Sequence, residues 1–259
     1  MKILVLGLLA GLVCAMGGAA ASEAADFKVL KLDGHNVRWP LPANGAGPVV
    51  SYSIVTATHD SPGARNCRRI TGLEELTAAS QLTMADARAE IAAAFAMWEA
   101  VANISFREAP AGTRADILIG AQVDPEGWAF ADVFYDALSP EPVKPISQGL
   151  ICLNPAKRWK IGFDGDLKTY DLRYTIAHEI GHAIGLDHPS GAMTIMGYRY
   201  EERFRRLQPG DVHGAVALYG EHRPATVAAT SEPQRKAHPS AVRRFAKRWG
   251  TRAFTARSP

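Results

Sequence analysis

The sequence lacks several features that mark other classes of protein. Outside an apolar run at the N-terminus, no stretch approaches about 18 uncharged apolar residues, which argues against a transmembrane helix elsewhere in the chain. Glycine-aspartate nonapeptide repeats of the calcium-binding type are absent, and no other internal repeat is visible. Cysteine is scarce, with three residues among 259, while the 47% hydrophobic and 21% charged composition is that of an ordinary globular protein. Disorder throughout the chain is therefore not expected.

The N-terminus has the pattern of a secretory signal peptide. Lys2 supplies a positive start, residues 3–16 are apolar without charge, and small residues follow at 17–22. The apolar run is too short to span a bilayer comfortably, which disfavours a membrane anchor. We therefore expect residues 1–22 to be a signal peptide and the protein to be secreted, into the extracellular space or a periplasm.

Removal of the signal peptide would take Cys14 with it and leave two cysteines. Cys67 and Cys152 are an even count in an exported chain, and one disulfide is the default expectation in an oxidising compartment. Two buried free thiols are the alternative.

The positive charge is concentrated in a C-terminal tail. Residues 221–259 contain nine Lys and Arg residues against two acidic ones, so the tail carries +7 and the rest of the chain −4, for a total of +3. A basic, disordered tail is the simplest interpretation. The alternative is a basic amphipathic helix over residues 242–249 that contacts an anionic surface or partner. No nucleic-acid partner is expected.

Residues 84–102 have the apolar periodicity of a long amphipathic helix. Thr83 is a candidate N-cap with Asp86 three residues later, which is a variant of the capping box. Arg88 and Glu90 lie off the apolar stripe.

The remaining elements indicate an α+β domain. Residues 23–48 are rich in proline, glycine and asparagine and are interpreted as an extended lead-in, and residues 49–55 alternate as a first strand. Further strands are expected at 103–106, 115–120, 128–135 and 149–153, and further helices at 172–184 and 209–219. This order fits a mixed sheet packed against a few helices.

The most informative stretch runs from His178 to His188. On a helix, residues four apart point in similar directions, so His178 and His182 can bind one Zn²⁺ together. Gly185 stands where a helix needs a left-handed terminating residue, so that the chain can turn and bring His188 back as a third ligand. The opposite side of the helix carries an apolar stripe that belongs in the core: Ile176, Ile180 and Ile184.

Three histidine ligands leave the fourth position of a tetrahedral zinc open, which marks a catalytic site rather than a structural one. Zinc lowers the pKa of a water molecule in that position toward about 7. Glu179, next to a ligand on the same helix, is placed to accept the proton and pass it to a leaving amine. A bare H-E-x-x-H motif arises by chance in many proteins, but the added glycine and third histidine at fixed offsets point to a catalytic zinc.

With these residues the sequence resembles the metzincin zinc proteases, whose signature H-E-x-x-H-x-x-G-x-x-H is followed by a methionine turn. Met196 supplies the turn eight residues after His188, a short spacing similar to that of matrixins, the matrix-metalloproteinase group. The resemblance covers residues 49–220. It implies a mixed, mostly parallel five-stranded sheet with two helices, and a small C-terminal subdomain with the third helix.

The resemblance also implies how the site works. A polypeptide substrate would run along a cleft and pair with an exposed sheet edge as an added strand, for which residues 128–131 are the candidate. Tyr198, two residues after Met196, is similar to a tyrosine of serralysins and astacins that helps to stabilise the oxyanion of the tetrahedral intermediate. A packing role for Tyr198 is the alternative.

Two features depart from the matrixin pattern. Matrixins usually carry a second, structural zinc, but no histidine occurs between His59 and His178, so a structural zinc is not expected. Matrixin precursors often place a propeptide cysteine on the zinc, whereas Cys67 falls inside the expected catalytic domain. Calcium is a minority alternative, and its candidate ligands are four aspartates that are also interpretable as solvated loop residues: Asp116, Asp124, Asp132 and Asp136.

The sequence therefore predicts a secreted zinc metalloendopeptidase with one catalytic zinc and Glu179 as general base. A catalytically inactive metzincin fold that serves as a binding module is one alternative, although the intact Glu179 argues against it. A zinc hydrolase or amidase that acts on a non-protein substrate is the other.

Overall fold

A computed structural model describes residues 26–110, 113–191 and 193–223. The predicted signal peptide at 1–22 and the predicted tail after residue 223, including the helix at 242–249, lie outside these residues. The strands, in chain order, are β1 (Lys28–Val29), β2 (Lys31–Leu32), β3 (His35–Arg38), β4 (Val49–Ile54), β5 (His59–Asp60), β6 (Arg69–Thr71), β7 (Ser105–Glu108), β8 (Ile117–Gln122), β9 (Ala129–Tyr135), β10 (Lys144–Leu153), β11 (Trp159–Lys160), β12 (Tyr170–Asp171) and β13 (Leu186–Asp187). The helices are α1 (Glu74–Ala79), α2 (Met84–Glu99), α3 (Leu172–Ala183) and α4 (Pro209–Tyr219).

Five strands form the main sheet, in the order β9, β10, β8, β4 and β7. The pairs β10–β8, β8–β4 and β4–β7 are parallel, whereas β9 runs antiparallel to β10. Every residue of β8 is buried, as expected for a central parallel strand that is covered on both faces. The short strands β2, β3, β5 and β6 extend this sheet to nine strands. The predicted α+β fold with a mixed, mostly parallel sheet is confirmed.

Helix α2 packs its apolar stripe between the sheet and α3. The predicted cap at Thr83 is present, because its hydroxyl accepts from the Asp86 N–H at 3.1 Å while the Asp86 carboxylate accepts from the Thr83 N–H at 2.9 Å. The indole N–H of the fully buried Trp98 donates to the Ala177 carbonyl of α3 at 2.9 Å. Within the described residues, every helix is too short or too polar to cross a bilayer.

Glu90 is buried, although it lies off the apolar stripe of α2. Its side chain is 8% exposed and accepts two hydrogen bonds from Arg173 at 2.8 Å, while Arg205 pairs with both Glu90 and the buried Asp171. A buried carboxylate costs several kcal/mol unless opposite charges and hydrogen bonds compensate. This four-charge cluster joins α2, the start of α3 and the loop before α4.

The N-terminal segment, expected to be a lead-in over residues 23–48, belongs to the packed domain. β1 pairs with β13, and β3 pairs with the start of β10. Trp39 is 4% exposed, and its indole N–H donates to the Ala183 carbonyl at 3.1 Å. Strands within residues 26–48 therefore pair with the domain that was expected over residues 49–220. Strands of two to four residues are too short to show the alternation by which a strand is recognised.

A disulfide joins the loop before β6 to the main sheet. Cys67 and Cys152, 85 residues apart in sequence, are both fully buried and are linked at an Sγ–Sγ distance of 2.09 Å. Asp132 on β9 accepts hydrogen bonds from the backbone N–H groups of Asn66 and Cys67 at 2.8 and 2.7 Å. These bonds hold the loop beside the edge strand β9.

Candidate metal centre

Helix α3 carries the first two predicted ligands on one face. Asp171 caps its N-terminus by accepting from the Tyr174 N–H at 2.8 Å. The rings of His178 and His182 lie one turn apart, with their centroids separated by 4.9 Å. The opposite, apolar stripe is fully buried as predicted: Ile176, Ile180 and Ile184. Burial of this stripe fixes the rotation of α3, so that the two histidines face away from the core.

The turn after α3 depends on Gly185. Its φ of +103° is in the region that favours glycine, and its N–H donates to the His182 carbonyl at 2.9 Å. A Cβ atom at this position would lie 2.4 Å from the Val37 carbonyl oxygen. The backbone conformation and the close approach of β3 both require glycine. The chain then reverses into β13 and brings His188 next to the histidines of α3.

The Nε2 atoms of the three histidines converge on one point. The distances are 3.0 Å from His178 to His188, 3.2 Å from His178 to His182, and 3.1 Å from His182 to His188. Ligand atoms placed tetrahedrally about 2.0–2.1 Å from zinc lie roughly 3.3 Å apart, so the spacing fits this metal. In the part of the chain that the structure describes, no other group of three His, Cys, Asp or Glu side chains converges in this way.

The Nδ1 atoms of the first two histidines set the tautomer of their rings. His178 Nδ1–H donates to the Ile195 carbonyl at 2.7 Å, and His182 Nδ1–H donates to the Leu186 carbonyl at 2.9 Å. Each ring therefore directs the Nε2 lone pair at the shared point. The pKa of His178 is lowered to about 3 and that of His182 to about 4, mainly by burial and in part by the neighbouring imidazoles. The rings are thus neutral, which is the protonation state that binds a metal.

The methionine turn is held by a carboxylate that sequence reasoning missed. Asp211, 1% exposed on α4, accepts from the N–H groups of Ile195 and Met196 at 2.9 and 3.0 Å. The Ile195 carbonyl is the acceptor for His178, so Asp211 acts on that ring through the turn. In the sequence, Asp211 is recognisable only as an acidic residue in the first turn of a predicted helix. Acidic residues are common there because they stabilise the helix N-terminus, so the position did not indicate a role at the site.

Met196 lies directly against helix α3, at 2% exposure. A Cβ atom on Gly181 would be 2.1 Å from the Met196 Sδ atom and 3.0 Å from the Trp98 ring. Glycine between the two histidines of α3 therefore allows the turn to approach the helix. The predicted place of Met196 beside the histidines agrees with this packing.

Glu179 follows His178 on α3, and its side chain lines the cleft while being only 6% exposed. Burial, and then the negative charge of Asp132, raise the pKa of the Glu179 carboxyl to about 8. A cation bound by the adjacent histidines would lower the pKa of the Glu179 carboxyl. Glu179 is therefore a buried carboxyl group beside the point where the histidines converge.

Tyr198 lies at the rim of the same point. Its side chain is 84% exposed, and its ring meets the His188 ring edge to face at a centroid distance of 5.3 Å. This exposure does not support the alternative of a packing tyrosine. The phenol is therefore open to solvent at the edge of the cleft.

The cleft beside the histidines encloses about 950 Å³ and follows the outer edge of β9. Among the described strands, β9 pairs only with β10, so one row of its backbone N–H and C=O groups has no partner strand. The lining also includes Gly197, Tyr198 and Tyr200, which follow the methionine turn. The predicted sheet edge at 128–131 overlaps the first residues of β9.

Comparison with known proteins agrees with this geometry. A model of the matrixin family matches residues 73–220, which is more than half of the chain and includes the whole histidine site. The chain belongs to the matrixin family. It is similar to mouse matrix metalloproteinase-19, with 30% identity over 158 residues, which are 57% of this chain and 28% of the relative.

Two further relatives show the same partial coverage. Metalloendoproteinase 1-MMP of Arabidopsis thaliana is 33% identical over 151 residues, which are 54% of this chain and 39% of that protein. Human stromelysin-3 is 30% identical over 160 residues, which are 58% of this chain and 30% of that protein. The chain thus spans less than two fifths of the length of these matrixin relatives.

The four aspartates proposed as calcium ligands do not converge in this matrixin domain. Asp116 accepts from the N–H and hydroxyl of Ser51 at 2.8 and 2.6 Å, and Asp132 accepts from the loop that contains Cys67. Asp136 accepts from the Leu138 N–H at 2.9 Å. Three of the four carboxylates are thus engaged by protein groups, and the described residues contain no cluster of these aspartates, so the geometry does not support them as one calcium site.

The contact between Gly181 and Met196 generates a stability prediction. Gly181→Ala is expected to lower the free energy of unfolding by about 1–3 kcal/mol, because the added methyl group overlaps the Met196 sulfur. In a Met196→Ala background the sulfur is absent, so Gly181→Ala is expected to cost much less. The higher helix propensity of alanine, worth about 1 kcal/mol relative to glycine, offsets part of any cost that remains. Urea denaturation of the four forms gives the coupling between the two positions. Equal costs in both backgrounds would contradict the proposed contact.

Proposed function

We propose that this chain is an exported zinc-dependent endopeptidase that hydrolyses peptide bonds in polypeptides. The observation that carries the proposal is the convergence of three neutral Nε2 atoms within 3.2 Å of one another. Membership of the matrixin family and a cleft along an open sheet edge support it. A zinc ion held by His178, His182 and His188 would supply Lewis acidity, which polarises a peptide carbonyl and increases the acidity of a water molecule.

Glu179 is the proposed general base. Its carboxylate lies in the cleft next to the first ligand histidine and accepts the proton of the attacking water molecule. The same carboxyl then donates that proton to the amine that leaves. Because Glu179 is buried, the proton has little access to bulk solvent between the two steps.

Strand β9 is the proposed docking site for the substrate backbone. An extended peptide that pairs with the free edge of β9 forms hydrogen bonds between its own backbone groups and those of the strand. This interaction does not depend on side chains. Strand β9 and Glu179 line the same cleft, and Asp132 of β9 lies near enough for its charge to act on the Glu179 carboxyl. We therefore expect the scissile bond of a docked peptide to lie beside the base.

Tyr198 is the proposed donor to the oxyanion. Its exposed phenol lies beside His188 at the rim of the cleft, where negative charge develops on the carbonyl oxygen.

Export is proposed from the charge and apolar pattern of residues 1–22 and is supported by the disulfide between Cys67 and Cys152. A mature chain without the first residues, recovered from the culture medium or periplasm, is the expected result. A chain that keeps residues 1–22 and stays in the cytoplasm would contradict export.

Removal of the base gives the first functional prediction. Glu179→Gln is expected to lower the rate of casein cleavage by about 10²–10⁴-fold without loss of bound zinc, because the carboxylate acts on protons and is not a ligand. Glu75→Gln, at an exposed position of α1, is the matched control and is expected to retain full activity.

A zinc chelator is expected to abolish cleavage by the native protein, and added zinc to restore it.

Two outcomes would contradict this proposal. Cleavage at the native rate by Glu179→Gln would remove Glu179 from its role. No cleavage of casein or any other polypeptide by the zinc-loaded native protein would favour the binding module or a hydrolase of non-protein substrates.

Tyr198→Phe tests the oxyanion donor. The substitution is expected to lower kcat by about 10²-fold with little change in KM, since the hydrogen bond is made only in the transition state. Steady-state kinetics on one peptide substrate measure both parameters. An unchanged kcat would show that the Tyr198 hydroxyl takes no part.

A further inference from the structure

The loop between β5 and β6, residues 61–68, lies along the edge strand β9. A Cβ atom on Gly63 would be 3.4 Å from the Phe134 ring, near the end of β9. Three residues later, the backbone N–H groups of Asn66 and Cys67 donate to the Asp132 carboxylate at 2.8 and 2.7 Å. The loop therefore follows β9 in the opposite direction.

The loop and helix α3 lie on opposite faces of β9. Phe130 and Phe134 pack against the apolar cluster that contains both disulfide cysteines, whereas Ala131 and Val133 pack against the main core, which includes the buried residues of α3. Side chains of an extended strand alternate between two faces. A peptide added at the free edge of β9 therefore directs every second side chain toward the loop.

The loop is held in place by covalent and hydrogen bonds. The disulfide joins Cys67 to Cys152 of β10, and internal hydrogen bonds run from the Ser61 N–H to the Arg68 carbonyl at 2.7 Å and from the Ala64 N–H to the Ser61 carbonyl at 2.9 Å. The loop thus presents its exposed side chains at a defined place beside the edge of β9.

Arg65 is the one lysine or arginine among the described residues that line the cleft, and its side chain is exposed. Neighbouring arginines are engaged, because Arg68 donates to the Ala64 carbonyl at 3.4 Å and Arg69 pairs with Asp60 at 3.0 Å. Within the described part of the chain, the Arg65 guanidinium has neither a hydrogen-bond acceptor nor an ion-pair partner. It is therefore available to a ligand.

The other charged groups of the cleft restrict where an acidic side chain can bind. Asp33 accepts from the Tyr135 hydroxyl at 2.7 Å, and Asp187 pairs with Lys28 at 2.6 Å. A carboxylate bound beside these groups would meet negative charge. Beside Arg65 it would meet a planar guanidinium, whose donors match the two oxygens of a carboxylate.

The position of Arg65 along β9 indicates which part of a substrate it reaches. The negative charge of Asp132 raises the pKa of the Glu179 carboxyl, so Asp132 marks the level of the proposed base. Arg65 lies in the loop between the contacts with Asp132 and Phe134, toward the C-terminal end of β9. Antiparallel pairing is the more stable arrangement of two strands. A peptide that pairs in this direction has the residues before its scissile bond at that end.

We propose that Arg65, on the disulfide-anchored loop 61–68, binds the carboxylate of an aspartate or glutamate in the substrate, at a position before the scissile bond whose side chain faces the loop. The identity of the ligand as a substrate rests on the proposed peptidase function. The preference for a carboxylate rests on the free guanidinium beside the open edge.

The test compares peptides with blocked ends that carry glutamate or glutamine at one position, moved in turn over the four residues before and the two residues after the scissile bond. At low ionic strength the zinc-loaded native protein is expected to show a glutamate-to-glutamine ratio in kcat/KM of about threefold to fivefold at a position before the bond. The two adjacent positions, whose side chains face away from the loop, are expected to show no such preference. In about 0.5 M salt the preference is expected to fall toward one.

Variants at the exposed position 65 test the residue itself. Arg65→Gln is expected to reduce the ratio at the preferred position to about one, and Arg65→Glu to bring it below one. Arg107→Gln, an exposed arginine on β7 that is not part of the cleft lining, is the matched control and is expected to keep the native ratio.

Binding of the same peptides to the Glu179→Gln variant, measured by calorimetry, separates selectivity from catalysis. A preference for glutamate in Kd that is lost in the added Arg65→Gln change supports the proposal whether or not cleavage is detected. A ratio near one at every position, a preference only after the scissile bond, or a preference that both Arg65 variants retain overturns it even if peptides are cleaved. Such a binding preference without any cleavage by the native protein overturns the proposed peptidase function and not the role of Arg65.

Discussion

The structure depends on the convergence of three imidazole nitrogens at one point on the wall of a cleft. Nε2 atoms that face one another within 3.2 Å, with the lone pairs of His178 and His182 directed at the shared point, fit a cation between them. Their direction is set on the other side of each ring, where the carbonyls of Ile195 and Leu186 accept from Nδ1 of His178 and His182. These backbone contacts keep the two rings in place.

The supporting contacts come from distant parts of the chain. Asp211 on α4 fixes the methionine turn that supplies the Ile195 carbonyl, and β1 pairs with β13 just before His188. Lys28 of β1 forms an ion pair with Asp187 at 2.6 Å, which ties the N-terminal segment to the residue next to the third histidine. The geometry of the candidate site is therefore a property of the whole domain, although the histidines themselves span eleven residues of sequence.

The difference between local motifs and distant contacts explains which features the sequence could predict. The positions of His178, His182 and Gly185 follow from helix geometry and turn chemistry, which are local and appear directly as spacing. The roles of Asp211 and Glu90 do not, because their partners lie 15 to 115 residues away and no local periodicity reports such pairs. Helix α1 and the two-residue strand β1 are too short to show a period, so neither element was predicted from the sequence.

X-ray absorption at the zinc edge of the purified protein tests the central claim most directly, since it counts the atoms around the metal. The account predicts one zinc per chain, surrounded by three imidazole nitrogens at about 2.0–2.1 Å and an additional oxygen, with one imidazole fewer in His188→Ala. A sulfur ligand at about 2.3 Å, or an imidazole count that is unchanged in the His188→Ala variant, would contradict it.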